Sequence, residues 1–231
     1  MMRIVRAAAL AAVAVLSTGA GKPAENRPAG NWTATVTVAK NGAHVLGNPA
    51  AAIKVTEFVS YTCSHCADFH KQSDAPMKLA YVRPGKVSVQ VQHLVRDPID
   101  LTAAMLTNCG EPARFFTRHN AFMQAQAKWL ATADSATAAQ RQRWTSGPTK
   151  ARMQAIASDF GFYRMVEAQG LTRAAADRCL ADEAMMKTLM GQTEEAVALG
   201  VTGTPSFVLN GALLENTHDW PALDARIKSA L

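Results

Sequence analysis

The spacing of apolar residues predicts strands in the first half of this 231-residue chain. Residues 33–38 and 87–92 alternate polar and apolar side chains, which is the period of a half-buried strand. Residues 53–61 lack clean alternation, which is typical of a central strand covered on both faces. These three segments therefore predict one sheet with a buried middle strand.

From about residue 98 to residue 199 the pattern changes to helical spacing, in stretches rich in Ala, Met, Gln and Arg. Gly and Pro breaks divide the later part into predicted helices over 149–168, 172–185 and 187–199. The sequence thus predicts a helical block of about 100 residues.

Strand character returns at 205–209. Asn210-Gly211 is a strong two-residue hairpin signal and predicts a return strand over 212–215. The chain then ends in an amphipathic helix that Asp219 is placed to cap. The order of elements is strands, helix, strand, helical block, hairpin and final helix.

Five methionines of the helical block suggest either core packing or a groove for a metal or peptide: Met153, Met165, Met185, Met186 and Met190. Because methionine at helical spacing usually fills irregular gaps in a core, we interpret them as core residues.

Residues 1–20 match a secretory signal peptide. Arg3 and Arg6 form the positive region, residues 7–16 are apolar, and small residues follow. A retained membrane anchor is the alternative, but ten apolar residues form a helix of only about 15 Å, roughly half the thickness of a bilayer core. We expect cleavage near residue 20, a flexible lead over 21–31 and export to the periplasm.

The net charge of +6 falls to +4 when the two arginines of the signal are removed. The remaining charge is spread along the chain, without a basic run or an aromatic-interleaved basic patch. This distribution argues against nucleic-acid binding.

The tetrapeptide Cys63-Ser64-His65-Cys66 lies where the predicted central strand runs into a helix. At a helix start, free N–H groups and the positive end of the helix dipole stabilise a thiolate. Strand, CxxC and helix together indicate a redox dithiol. His65 can donate to, or carry charge beside, the Cys63 sulfur, or it can be a solvated surface residue. Ser64 is small and permits the turn.

The other two cysteines are Cys109 and Cys179, which completes an even count. If the CxxC cysteines pair with each other, these two are left to form a structural disulfide. The alternative is two buried thiols, since cysteine is often a small core residue. We favour the bridge.

Residues 57–66 (EFVSYTCSHC) and 201–207 (VTGTPSF) together resemble the DsbA family of periplasmic thiol-disulfide oxidoreductases in the thioredoxin superfamily. The resemblance covers essentially the whole mature chain. It implies an α/β thioredoxin fold with an inserted all-helical domain. The thioredoxin fold would occupy 32–97 and 200–231, and the insertion 98–199.

By this resemblance, Cys63 is the exposed nucleophile and Cys66 the resolving cysteine. Thr204-Pro205 is the loop packed against them through a cis peptide bond, although a trans proline opening a strand is the ordinary interpretation. Glu57 is a buried carboxylate that exchanges protons with Cys66, unless it lies on an exposed strand face. His70, His93 and His119 are interpreted as structural or surface residues.

The implied function is a dithiol oxidase that donates the Cys63–Cys66 disulfide to unfolded secreted proteins with free cysteines. A DsbB-type membrane quinone reductase would restore the disulfide. No cofactor or metal is required, and we expect a monomer.

Three alternatives stay open. Thr204, where well-known family members have valine, makes a disulfide isomerase or reductase of the same fold the nearest one. Zinc binding by Cys63, Cys66 and His70 has little support, because there is no second CxxC. The third alternative is a non-catalytic binding protein, in which the CxxC would be only a structural disulfide.

Overall fold

The computed structural model describes residues 30–231. The predicted signal peptide over 1–20, and all but the last two residues of the predicted lead over 21–31, lie outside the described residues. Within residues 30–231, no helix is both long enough and apolar enough to cross a membrane.

One mixed sheet forms the centre of the fold, with its strands in the spatial order β1-β2-β4-β3-β5-β6. The strands are β1 (Val36–Val38), β2 (His44–Gly47), β3 (Ile53–Val59), β4 (Val87–His93), β5 (Ser206–Leu209) and β6 (Ala212–Leu213). The central strand β3 runs parallel to β4 and antiparallel to β5. This register places Glu57 between Val91 and Phe207.

The predicted strand over 33–38 is only partly correct, since residues 32–34 form a 3₁₀ turn before the short β1. The strand β2 was not predicted, because Gly47 suggests a break in the pattern. Gly47 has a φ of 115°, and a Cβ atom there would come within 3.0 Å of the carbonyl oxygen of Val87 on β4. Glycine is therefore required for the close approach of these two strands.

The described residues form ten α-helices. They are α1 (Ser64–Pro76), α2 (Pro98–Asn108), α3 (Phe115–Gln124), α4 (Gln126–Ser135), α5 (Ala138–Thr145), α6 (Thr149–Asp159), α7 (Phe162–Glu167), α8 (Arg173–Cys179), α9 (Glu183–Ala198) and α10 (Trp220–Ala230). Helices α2 to α9 lie between β4 and β5 in the chain, as a helical block inserted into the sheet's connectivity.

Helix boundaries differ from the predicted ones at three places, and the first is that the predicted helix over 172–185 ends at Cys179. The predicted helix over 149–168 is divided into α6 and α7 by Gly161, whose φ of 71° ends a right-handed helix. Helix α9 begins at Glu183 rather than at residue 187, because the side chain of Asp182 accepts a hydrogen bond from the backbone N–H of Met185 and caps the helix start.

The C-terminal elements follow the sequence pattern closely. Asn210 and Gly211 both have positive φ, 49° and 89°, as the predicted hairpin turn requires. Asp219 caps α10 by accepting a hydrogen bond from the N–H of Ala222. Leu223 is fully buried on the inner face of this helix. The return strand is shorter than predicted and ends at residue 213.

Candidate active site

The CxxC motif forms the junction between β3 and α1. Cys63 is the N-cap residue of α1, with extended dihedrals (φ −92°, ψ 114°) and no side-chain capping bond. Ser64 and His65 are exposed in the first turn, whereas Cys66 is completely buried one turn further. Both thiols are free, so the structure represents the dithiol form.

Cys63 is only 4 % exposed, so the expectation of an exposed nucleophile is wrong for this form of the protein. Its thiol donates a hydrogen bond to the carbonyl oxygen of Thr204 at 3.1 Å. The Thr204-Pro205 peptide bond is cis, as the resemblance implies. The loop before β5 therefore lies directly against the sulfur.

The two thiols differ strongly in acidity. The pKa of Cys63 is lowered to about 5, mainly by a hydrogen bond from the Cys66 thiol. Burial opposes this shift, while the Thr204 side chain, the Cys66 backbone N–H and the charge of Arg96 add to it. Burial is the main cause that raises the pKa of Cys66 well above its usual value. Ionised Cys63 beside protonated Cys66 is therefore the stable state of the dithiol near neutral pH.

Arg96 is a member of the site that the sequence did not reveal. It follows β4, about 30 residues from the CxxC, and it is the cation that favours ionised Cys63. The predicted donor His65 is exposed, and in the described part of the chain its ring makes no hydrogen bond to Cys63. A role for His65 in the chemistry stays a prediction.

Two aspartates at the start of α2 hold the segment that precedes Cys63. The buried Asp100 accepts hydrogen bonds from the Ser60 hydroxyl and the Tyr61 backbone N–H, both at 2.7 Å. Asp97 accepts one from the Thr62 hydroxyl at 2.6 Å and also caps α2. Burial raises the pKa of Asp100 to about 7. The end of β3 and the start of the helical block are thus tied together under the reactive thiol.

Gln126, at the start of α4, fixes the turn from the other side. Its amide group is buried and donates to the carbonyl oxygens of Tyr61 at 2.8 Å and Cys63 at 2.7 Å. The Tyr61 carbonyl lies beyond the end of β3 and has no strand partner, so the Gln126 side chain satisfies a group that would be costly to bury alone. The Cys63 carbonyl also accepts a hydrogen bond from the backbone N–H of Ala67. The helical insertion therefore supplies part of the active-site support.

Three histidines interpreted as structural or surface residues prove to be buried. His119 contacts the hydroxyl of Tyr61 through Nδ1 at 2.8 Å, and His93 contacts Asn108 at 2.9 Å. Burial is the main cause that lowers the pKa of His93 to about 3 and that of His119 well below its usual value. Neutral imidazoles thus form part of the core behind the CxxC turn.

Glu57 is buried, as the resemblance implies, and one of its carboxylate oxygens has no hydrogen-bond partner in the described structure. It faces a small cavity that is also lined by Phe69, His70 and Asp74, which follow Cys66 along α1. Burial, with a smaller effect of Asp74, raises the pKa of Glu57 to about 8. Proton exchange between Glu57 and Cys66 stays a prediction.

We expect Glu57→Gln to make stability less dependent on pH. The folded pKa of about 8 exceeds the ordinary value of 4.5. The folded state therefore binds more protons than the unfolded chain between these values, and stability falls as pH rises towards 8. At about 1.4 kcal/mol per pKa unit, the variant should gain a few kcal/mol relative to wild type between about pH 5 and pH 8.5. Urea unfolding at both pH values measures this difference.

The matched control for that experiment is Glu194→Gln, which removes the same charge from an exposed position. Parallel pH profiles for the Glu57 variant and wild type would show that the carboxyl group is already ionised at neutral pH.

Cys109 and Cys179 form a disulfide with a Cα–Cα distance of 5.7 Å. Cys109 ends α2 and Cys179 is the last residue of α8. The structure therefore contains the favoured bridge rather than two free thiols, and within the helical block the bridge joins the end of α2 to the end of α8.

Within residues 30–231, no group of three or more His, Cys, Asp or Glu side chains is arranged to hold a metal ion. The zinc alternative, which required Cys63, Cys66 and His70 to act together, thus has no geometric support in the described residues.

A family model described as thioredoxin matches residues 39–229. The chain belongs to the thioredoxin family. A crystal structure of a protein-disulfide isomerase from Novosphingobium aromaticivorans is 50 % identical, covers 81 % of this chain and 96 % of its own, and superposes with a TM-score of 0.78. Wolbachia pipientis α-DsbA1 shares the fold at 21 % identity, with a TM-score of 0.66 over 84 % of this chain and 92 % of its own. The predicted place in the thioredoxin superfamily and the predicted fold class are confirmed.

Among curated proteins, a Rickettsia typhi protein provisionally named a protein-disulfide oxidoreductase is 29 % identical over 76 % of this thioredoxin-family chain. A similarly named protein of Rickettsia bellii is 27 % identical over 81 % of the chain. The matched regions span 57 % and 64 % of these two relatives, so each of them has further sequence beyond the shared part.

Proposed function

We propose that this protein is a thiol-disulfide oxidoreductase that works as a dithiol oxidase, with Cys63 as nucleophile and Cys66 as resolving cysteine. The observation that carries the proposal is the opposite shift of the two thiol pKa values at one helix start. A site that stabilises the Cys63 thiolate stabilises the reduced protein relative to its disulfide. The disulfide is then a strong acceptor of electrons from other thiols.

The proposed reaction begins with the Cys63–Cys66 disulfide. A substrate thiolate attacks the Cys63 sulfur, a mixed disulfide forms, and the Cys66 sulfur leaves and takes up a proton. The second substrate thiol then loses its proton and attacks the substrate sulfur of the mixed disulfide. Cys63 leaves as the thiolate that its surroundings stabilise. The substrate has lost two electrons and the CxxC has gained them.

The unfolded secreted proteins proposed as substrates follow from the predicted export signal and from the oxidising compartment that it implies. Renewal of the disulfide requires an acceptor for two electrons, and a DsbB-type membrane quinone reductase fits this need. Thr204 and Pro205 would hold the substrate segment beside Cys63, because their backbone lies against the sulfur.

A disulfide isomerase is the second candidate. It is favoured by the name of the Novosphingobium aromaticivorans structure, which is 50 % identical to this chain. An isomerase also needs a reactive Cys63 thiolate, but it must stay reduced. Equilibration with a glutathione redox series tests what an oxidase requires, a CxxC that is mostly reduced under conditions that leave ordinary disulfides intact. Repair of scrambled ribonuclease without added oxidant would favour the isomerase.

We expect the Cys63 thiolate to form with a midpoint near pH 5, as its lowered pKa implies. Arg96→Ala should raise that midpoint by less than about one unit, because an exposed cation acts through a screened interaction. The ultraviolet absorbance of the thiolate in reduced protein, followed against pH, measures both values. Arg83→Ala removes an exposed arginine that is not among the groups acting on Cys63. A wild-type midpoint near that of free cysteine would contradict the oxidase proposal.

A further inference from the structure

A groove with a volume of about 300 Å³ lies between the segment after β4 and the helices α6 and α9. We call it the α6–α9 groove. Its apolar lining is formed chiefly by Leu101, Met153, Ile156, Met186 and Met190. Met190 is 38 % exposed, so the interpretation of all five methionines as core residues is wrong for this one. Methionine side chains adapt to different partners, which suits a surface that binds varied sequences.

Two residues that line the groove, Arg96 and Asp97, interact with the CxxC turn. Arg96 is the same cation that acts on the Cys63 thiolate. The carboxylate of Asp97 is hydrogen bonded to the hydroxyl of Thr62, the residue before Cys63. An extended chain advances about 3.3 Å per residue, so a peptide whose cysteine is bonded to Cys63 reaches the groove within a few residues.

The charges of the α6–α9 groove favour an acidic partner. Arg96 and Arg152 line it, and neither forms an ion pair with any carboxylate of residues 30–231. Arg152 donates only to the hydroxyl of Thr149, and its Nε is buried without a partner. Both oxygens of Asp97 are occupied by the Thr62 hydroxyl and by backbone N–H groups of α2. Among the residues that line this apolar surface, two guanidinium groups therefore outnumber one carboxylate.

We propose that the α6–α9 groove binds the residues flanking a substrate cysteine and selects segments that carry an apolar side chain next to a carboxylate. This inference rests on the proposed oxidoreductase function and adds a substrate preference to it. The apolar side chain would fill the methionine-lined space. The carboxylate would pair with the guanidinium group of Arg152.

The test uses two synthetic dithiol peptides that differ at one position near a cysteine, one with Leu-Glu and the other with Leu-Lys. The oxidised protein should oxidise the glutamate peptide about fivefold faster at subsaturating concentration, as expected for a pair worth about 1 kcal/mol. Arg152→Glu should reverse this preference. Lys150→Glu makes the same change of charge on the exposed side of the same helix and should leave it intact.

The rate of dithiothreitol oxidation, measured for each variant, separates the two proposals. Dithiothreitol does not reach the groove, so Arg152→Glu should oxidise it at the wild-type rate. Equal oxidation of both peptides by wild type, or equal effects of Arg152→Glu and Lys150→Glu, overturns the groove proposal alone. Failure of wild-type protein to oxidise dithiothreitol overturns the oxidase function and the groove proposal with it.

Two further measurements address folding and the identity of the occupant. Arg152→Gln, a milder change, should abolish the preference without reversing it, which keeps the proposal testable if the glutamate variant folds poorly. If Arg152→Glu slows reoxidation by membranes while peptide oxidation is unchanged, the groove belongs to the reoxidising partner and substrate selection is refuted.

Discussion

Replacing Cys63 with serine should reduce dithiol oxidation to the uncatalysed rate, a loss of roughly three orders of magnitude or more. Serine cannot form the mixed disulfide, and Cys66 cannot take over, because it is completely buried and its pKa is raised rather than lowered. Oxidation of a fluorescent dithiol peptide under stoichiometric oxidant measures the effect. Activity within a few-fold of wild type would contradict the assignment of Cys63.

Cys66→Ser is the matched control for this prediction. It removes the resolving thiol and keeps Cys63, whose thiolate should attack the disulfide of an oxidised peptide. One peptide thiolate leaves, and the mixed disulfide on Cys63 should accumulate because no second protein thiol displaces it. Non-reducing electrophoresis detects the mixed disulfide as a mass increase that reductant removes. A stable adduct on the Cys66 variant and none on the Cys63 variant would assign the two roles separately.

Removing the Cys109–Cys179 bridge by a double substitution to alanine should cost about 4 kcal/mol of unfolding free energy. The bridge closes a loop of 70 residues, and its loss restores the conformational entropy of that loop in the unfolded chain. For a protein of this size, about 4 kcal/mol corresponds to a fall of roughly 8–16 °C in Tm. Thermal unfolding followed by circular dichroism measures this change.

The control is the double substitution Cys63→Ser with Cys66→Ser, measured under the same non-reducing conditions. It leaves the structural bridge in place and closes no long loop, so its Tm should stay closer to that of wild type. If the two double variants unfold at the same temperature, the bridge contributes little and the helical block is held by packing alone.

Local patterns predicted much of the fold because their physical causes lie within a few residues. Asn210-Gly211 predicted a hairpin, since both residues accept positive φ. Asp219 predicted the start of α10, since a carboxylate there satisfies free N–H groups. Strand β2 was missed for the opposite reason. Gly47 looks like a break along the chain, but it is required by the neighbouring strand β4.

The supporting residues of the active site were not predictable from local patterns. Arg96, Asp100 and Gln126 are separated from Cys63 by about 30 to 60 residues, and each reaches the CxxC turn only through the packing of α2 and α4 against the sheet. In the sequence they look like ordinary polar residues of a loop and two helices. No spacing rule connects them to the cysteines.

The sequence by itself determined the reactive dithiol, its place at a helix start, the proline before β5 and the family, because these features depend on contiguous residues. Only the tertiary structure decided how strongly the two thiols differ in acidity. That difference comes from burial of Cys66, from the cis Thr204-Pro205 loop against Cys63 and from Arg96 nearby. Burial and charge act through space, and the fold sets which distant residues share that space.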